Sequence, residues 1–98
     1  MAAGWQPRLP PPVVDAIAHF PPALKQDVKQ ALRLLSTDPY AGEPLERELR
    51  GLRKYRARTF RIVYQIILDE RLIHIVGIGH RQAIYDWVRQ QYNPAALS

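Results

Sequence analysis

The sequence predicts an α+β domain: an antiparallel helical hairpin, then a small sheet of three to four mainly antiparallel strands, then a short C-terminal helix. Three observations carry this. Apolar residues recur at helical spacing through 13–20 and 24–35, with Pro21 and Pro22 between the two runs. Residues 54–67 alternate between polar and apolar side chains, and 71–79 (RLIHIVGIG) is apolar at almost every position. A chain of 98 residues is able to close a single hydrophobic core and is too short for two domains, so 1–98 is read as a single domain.

The N-terminal segment 1–12 is proline-rich. A strand around Trp5 to Leu9 fits there only at a sheet edge, because Pro7 has no N–H to give to a ladder. The first helix, 13–20, carries Val13, Ile17 and Phe20 on one side and is entered through Pro12, a good first-turn residue. The second, 24–35, puts Leu24, Val28, Ala31, Leu32 and Leu35 on one side and turns Lys25, Gln26, Lys29, Gln30 and Arg33 outward. The short break between them implies antiparallel packing. Residues 36–44 (STDPYAGEP) are turn formers, with Asp38 and Glu43 as turn and surface residues. Residues 45–52 are ambiguous between a helical turn and an extended run, with a bend at Gly51. The apolar run 71–79 is read as a strand inside the sheet, with His74 in it as a structural residue. The terminal helix, 82–91, packs through Ile84, Val88 and Trp87. Asn93-Pro94 ends it, and 93–98 is expected to be a loose tail.

Charge is concentrated. Of fourteen Lys and Arg, seven fall between positions 47 and 61: Arg47, Arg50, Arg53, Lys54, Arg56, Arg58 and Arg61. With strands at 54–58 and 61–67 joined by Thr59 and Phe60, Arg58 would pair with Arg61, Arg56 with Val63 and Lys54 with Gln65. Alternation then gives one face Lys54, Arg56, Arg58, Arg61 and Gln65, and the other Tyr55, Ala57, Ile62, Tyr64 and Ile66. The apolar face must pack on the core, which leaves the cationic face open to solvent or to a polyanion. A merely solvated face is the plain alternative; arginine's fork, which fits phosphate oxygens, favours the polyanion.

The formal charge of +5 favours acidic partners. The absence of cysteine removes disulfides, thiolate nucleophiles and cysteine-ligated metals. No apolar run approaches the roughly 20 residues that span a bilayer, and the chain is read as a soluble cytoplasmic protein with no membrane partner. There is no carboxylate pair, Ser-His-Asp order, phosphate-cradling glycine loop or set of metal ligands, so no metal and no cofactor is expected.

The order of parts, together with the DPY loop, the L-x-x-L run, the string YRARTFRIVYQI, the strand ending in IGHR and a tyrosine four residues beyond that arginine, resembles the RelE/ParE superfamily of bacterial toxins. The resemblance covers roughly 13–85. Its most specific pieces are RIVYQI (61–66) and GIGHRQAIY (77–85), and it departs from the family in the prolines at its start. It implies a helical hairpin on one face of the sheet and an active surface on the other. For members resembling RelE, it further implies a toxin of a type II toxin-antitoxin system that cuts messenger RNA in the ribosomal A site and is held inactive by an antitoxin. The family's site residues carry over onto Lys54, Arg56, Arg61, Arg81 and Tyr85. RelE itself has two lysines one residue apart, and the first of those positions is Leu52 here.

Metal-free RNA cleavage removes the 2′-hydroxyl proton, stabilises charge on a five-coordinate phosphorus and protonates the 5′-oxygen, leaving a 2′,3′-cyclic phosphate. Arg56 and Arg61 suit the second task. Lys54 is the candidate base, its ammonium disfavoured by neighbouring cations. Arg81 is placed to shield the leaving group, and His80 is a second acid or base candidate, with corner packing as its alternative. Tyr85, one helical turn beyond Arg81, is a candidate for stacking on a base or for core packing. Arg50, Arg53 and Arg58 are read as RNA-binding. The expected partners are the ribosome, messenger RNA and an acidic, partly disordered antitoxin. Two other functions remain open: a ParE-like toxin that inhibits DNA gyrase by protein contact, and a basic RNA-binding domain without activity.

Overall fold

Prolines start both helices of the hairpin. In the computed structural model, which describes residues 4–91 and gives Arg81, Gln82 and Gln91 by backbone alone, α1 spans Pro11–Ala18 and α2 spans Pro22–Thr37. Pro10 and Pro21 occupy the N-cap positions with extended backbone, and each helix begins on a proline. A first-turn N–H has no intrahelical acceptor, so its absence costs nothing, and the ring fixes φ at a helical value. Each helix therefore starts two residues before the sequence expectation. The expected tail 93–98 and the Asn93-Pro94 stop lie outside the described residues.

The sheet has five strands rather than three to four: β1 (Gln6–Arg8), β2 (Glu43–Pro44), β3 (Arg53–Ala57), β4 (Phe60–Ile67) and β5 (Leu72–His80), in the order β1-β5-β4-β3-β2. The pairings are antiparallel except β1 with β5. As expected from Pro7, β1 is an edge strand, and the apolar run forms β5 inside the sheet. Arg71 fastens the edge: its Nε donates to the Gly4 carbonyl at 2.6 Å and its guanidinium lies 5.0 Å from the centre of the Trp5 ring.

The β3–β4 hairpin departs from the expected register by two residues. Its turn is Arg58-Thr59, so Ala57 faces Phe60, Arg56 faces Arg61 and Lys54 faces Val63. Arg58 takes a positive φ of 53°, which costs a residue with a Cβ about 1–2 kcal/mol. In exchange Phe60 enters the strand and is fully buried, worth about 1.5–3 kcal/mol. A two-residue slip preserves parity, so the expected faces survive for every residue except Arg58, which the turn removes.

One core lies between hairpin and sheet. Val13, Val28, Ala31 and Leu35 pack on Phe60, Ile62, Tyr64, Ile73 and Ile75. A second, smaller core lies on the other face, where α3 (Arg81–Gln91) brings Ile84 and Val88 onto Val63, Leu49 and Leu52. The expectation of one apolar face and one open face is therefore corrected: α3 covers part of the cationic side. The sequence hid this because the apolar side chains on that side, Val63, Val76 and the pair Ile67–Leu72, are interrupted by Arg61, Gln65 and His74.

Tyr64 ties the 39–42 loop to the sheet. Its buried hydroxyl donates to the Pro39 carbonyl at 2.6 Å and accepts from the Gly42 N–H at 3.0 Å, and burial raises its pKa above 10.0 against the opposing pull of Arg53. Any side chain at Gly42 would run into that hydroxyl and the Lys54 carbonyl. Tyr64→Phe should lower unfolding free energy by about 1–3 kcal/mol, because two buried backbone groups lose their partner; urea titration would measure it.

Candidate nucleic-acid interface

On the α3 side, one transverse row of the sheet reads Arg56, Arg61, Gly79 across β3, β4 and β5. Directly opposed side chains on antiparallel strands have Cβ atoms about 4.5–5.5 Å apart, so two arginine side chains leave the sheet from neighbouring points on one face. Arg56 is exposed and Arg61 half-buried. Lys54 follows Arg56 on the same face of β3, roughly 7 Å along the strand. Among the described residues, none of these three cations has an acid at ion-pairing distance. Glu43 of β2 stands opposite Lys54 and so brings a carboxylate to the same face. Sequence reasoning left Glu43 in a loop, since a two-residue strand ending in proline gives no periodic signal.

Glycines let α3 lie close. Gly77 and Gly79 sit beneath Ile84 and Trp87: a Cβ at Gly77 would meet Ile84 Cδ1 at 2.8 Å and Trp87 Cζ3 at 3.1 Å, and one at Gly79 would meet Ile84 Cβ at 3.2 Å. Between Gly77 and Ile75, which face Val63 and Tyr64, Val76 has no partner. This β-bulge adds an apolar side chain to the α3-side core. The close approach brings Tyr85 beside Arg61, whose guanidinium carbon lies 6.0 Å from the ring centre, within cation–π range. The ring is half-buried against the smaller core, and its hydroxyl is enclosed without a hydrogen-bond partner among the described residues. Both the stacking and the packing readings of Tyr85 thus have a footing: one part of the ring belongs to the core and one part faces the arginines.

The other expected site residues distribute unevenly. Arg81 begins α3 and shares a helix face with Tyr85 by spacing, but its side chain lies outside the described set. His80 faces Phe60 and so projects toward the hairpin side; its Nδ1 lies 2.9 Å from the Thr59 carbonyl oxygen. A carbonyl only accepts, so Nδ1 carries the proton and the ring ties β5 to the turn instead of facing Arg61. Arg53, opposite Tyr64, is also on the hairpin side, donating to the carbonyls of Gly42 at 2.6 Å and Tyr40 at 3.3 Å, with its guanidinium 5.2 Å from the Tyr40 ring centre. Arg58 reaches Asp27 of α2 at 3.5 Å. Arg53 and Arg58 are therefore not brought together with the Arg56–Arg61 pair. Arg50 is exposed just after a 3-10 turn at Arg47–Leu49. Leu52, where the resemblance to RelE implies a lysine, is 1% exposed and belongs to the smaller core.

Among the described residues no group of three or more His, Asp or Glu side chains gathers in the manner of a metal site, and no helix is long and apolar enough to cross a membrane.

Residues 13–85 match the family model described as the ParE toxin of type II toxin-antitoxin systems. The chain belongs to this family. Among curated relatives, this toxin is 33% identical over 79 residues to Toxin RelG of Mycobacterium tuberculosis, covering 80% of this chain and 79% of that protein. Its fold superposes on the toxin-antitoxin complex RelBE2 from M. tuberculosis with a TM-score of 0.74 at 28% identity, covering 80% of this chain and 99% of that one. A mutant of E. coli toxin RelE in the free state gives 0.72 at 18% identity, covering 93% and 98%, a likeness that bears on the fold alone. The toxin is thus a member of the RelE/ParE superfamily, as its motifs suggested.

Arg89 holds α3 down at its far end, donating to Glu48 at 2.9 Å and Asp86 at 3.0 Å. A backbone hydrogen bond first, and then Arg89, lower the Glu48 pKa from its ordinary 4.5. A carboxyl with a depressed folded pKa stabilises above its unfolded value and ceases to as pH falls through the folded one. The stability deficit of Glu48→Gln should therefore be present at neutral pH and vanish in acid below that depressed value, as read by thermal unfolding across pH.

Proposed function

We propose that this toxin is a metal-independent endoribonuclease that cleaves messenger RNA on the ribosome, in the cytoplasm, and that a cognate antitoxin holds it inactive. The observation that carries the reading is the Arg56–Arg61 pair, unneutralised among the described residues, with Tyr85 against Arg61. Permanent cations fixed on neighbouring strands suit the charge that develops on a phosphorane, and their positions need no reorganisation during reaction. The ring edge beside them suits a base of an unpaired strand.

In this mechanism the ribose 2′-oxygen attacks the adjacent phosphorus, the P–O5′ bond breaks, and a 2′,3′-cyclic phosphate and a 5′-hydroxyl result. Arg56 and Arg61 stabilise the phosphorane oxygens. Lys54 is the base that takes the 2′-hydroxyl proton, and the Glu43 carboxylate opposite it balances the charge of the ammonium so formed. Arg81, one helical turn before Tyr85, shields the leaving 5′-oxygen, which takes its proton from solvent water. The hydrogen bond from His80 to the turn argues against it as the acid.

The antitoxin in this reading is acidic and partly disordered alone, since it must cover an exposed basic face. That the similar structure from M. tuberculosis is a toxin-antitoxin complex supports such a partner.

A second reading has its own support. The matching family model is the ParE toxin, and Leu52 is buried where a catalytic lysine would stand, so inhibition of DNA gyrase by protein contact is the competing function. Induced expression separates the two: the nuclease gives A-site cuts in translated messages within minutes, the gyrase inhibitor DNA damage and filamentous cells. In vitro, Arg61→Ala and Arg81→Ala should each reduce ribosome-dependent cleavage by about a hundredfold or more with unchanged folding. Wild-type protein that leaves messages intact on ribosomes would overturn the nuclease reading.

A further inference from the structure

A second row of polar side chains crosses the same face of the sheet farther from α3. Arg8 of β1 and Gln65 of β4 both stand opposite His74 of β5. Residues on either side of His74 (Ile73, Ile75) and of Gln65 (Tyr64, Ile66) belong to the hairpin-side core. Alternation therefore turns His74, Gln65 and their partner Arg8 to the opposite face. Arg8 is exposed, and His74 and Gln65 are half-buried. None of the three has a hydrogen-bond or ion-pair partner among the described residues. The site described above does not use them: His74 is five positions from Gly79 along β5, roughly 16 Å, and the helix contacts seen at Gly77 and Gly79 do not involve it.

We propose that Arg8, His74 and Gln65 form a second phosphate-binding subsite, which grips a phosphodiester of the RNA strand away from the cleavage point. The proposal rests on the reading of RNA as the ligand. Its chemistry is that of converging donors. Arg8 offers a charged fork, Gln65 an amide NH2 and His74 a ring N–H on each nitrogen once protonated. Adjacent strands are about 4.8 Å apart, so flexible arginine and glutamine side chains on either side can close on one phosphate above the imidazole. A structural histidine in this position would be expected to have an acceptor, yet His74 faces a guanidinium instead.

The same juxtaposition makes the subsite sensitive to pH. Burial first, and then the charge of Arg8, lower the His74 pKa below 6.5; Gln65 on the β4 side does not titrate, and Arg8 is the one charge acting on His74 among the described residues. A phosphate placed between them reverses the electrostatic sign and favours the imidazolium, so binding takes up a proton and strengthens as pH falls.

Binding of a labelled single-stranded RNA oligonucleotide, followed by fluorescence anisotropy across a salt series at about pH 5.5 and about pH 7.5, either side of the ordinary histidine pKa, tests this. Wild type should bind more tightly at the lower pH. Arg8→Ala should reduce the slope of log affinity against log salt by about 0.7, the single-strand value for one phosphate contact, and Arg8→Lys should restore it. His74→Gln should abolish the part of the pH dependence that wild type shows. Thermal unfolding identifies a variant that has not folded, and Arg8→Lys then serves alone. An unchanged salt slope in Arg8→Ala, or a pH dependence retained by His74→Gln, overturns the subsite. So does Arg8- and His74-dependent binding of a glutamate-rich peptide in place of RNA. Ribosome-dependent cleavage by wild type is scored separately: cleavage with no Arg8 effect on binding sinks the subsite and leaves the nuclease standing, whereas RNA binding that depends on Arg8 without cleavage does the reverse.

Discussion

Strand β4 must be covered on both faces, and most of the molecule follows from that. Ile62 and Tyr64 look toward the hairpin and Val63 toward α3, and all three are fully buried. A strand so placed has room for a permanent charge only where cover ends. Arg61 sits at that point, second in the strand, beside Phe60, which anchors the start in the larger core. The arginine's backbone is thus held by the best-packed part of the sheet while its guanidinium reaches past it. Positioning a cation on a rigid strand, instead of a loop, is what lets it act without reorganisation.

The two helical layers contribute unequally. The hairpin packs through a broad apolar stripe and carries no residue of the candidate site. α3 packs mainly through Ile84 and Val88, with Tyr85 and Trp87 at the margin, reinforced by an exposed Arg89–Glu48 pair of the sort that contributes little. It nevertheless brings Tyr85 to Arg61. The element that completes the site is therefore the one with the smaller buried interface, and two glycines in β5 let it come close.

Much of this was legible in the residues. Parity along 54–67 assigned Lys54, Arg56 and Arg61 to one face correctly although the turn was misplaced, because a slip of two residues leaves every side chain on its own side. Pro7 announced an edge strand and the run LIHIVGIG an interior one. What periodicity could not reveal were long-range polar attachments. Arg53 looks like one more cation of the patch until the carbonyls of Tyr40 and Gly42 are brought to it from the preceding loop. His80 looks like a proton carrier until the Thr59 carbonyl is found beside it. Likewise, Glu43 becomes a neighbour of Lys54 only through a strand of two residues. Each depends on a contact between segments that no local pattern encodes.

The parallel pairing of β1 with β5 has a temporal consequence. Gln6 and Leu72 are neighbours in space, so a chain made from its N-terminus exposes an unmatched first strand until synthesis has passed Leu72. The Arg61–Tyr85 contact needs a still later segment. A nascent polypeptide that stalls within β5 thus has its arginines but not the ring that stands against them, and synthesis itself delays the assembly of the cationic platform until the last helix has emerged.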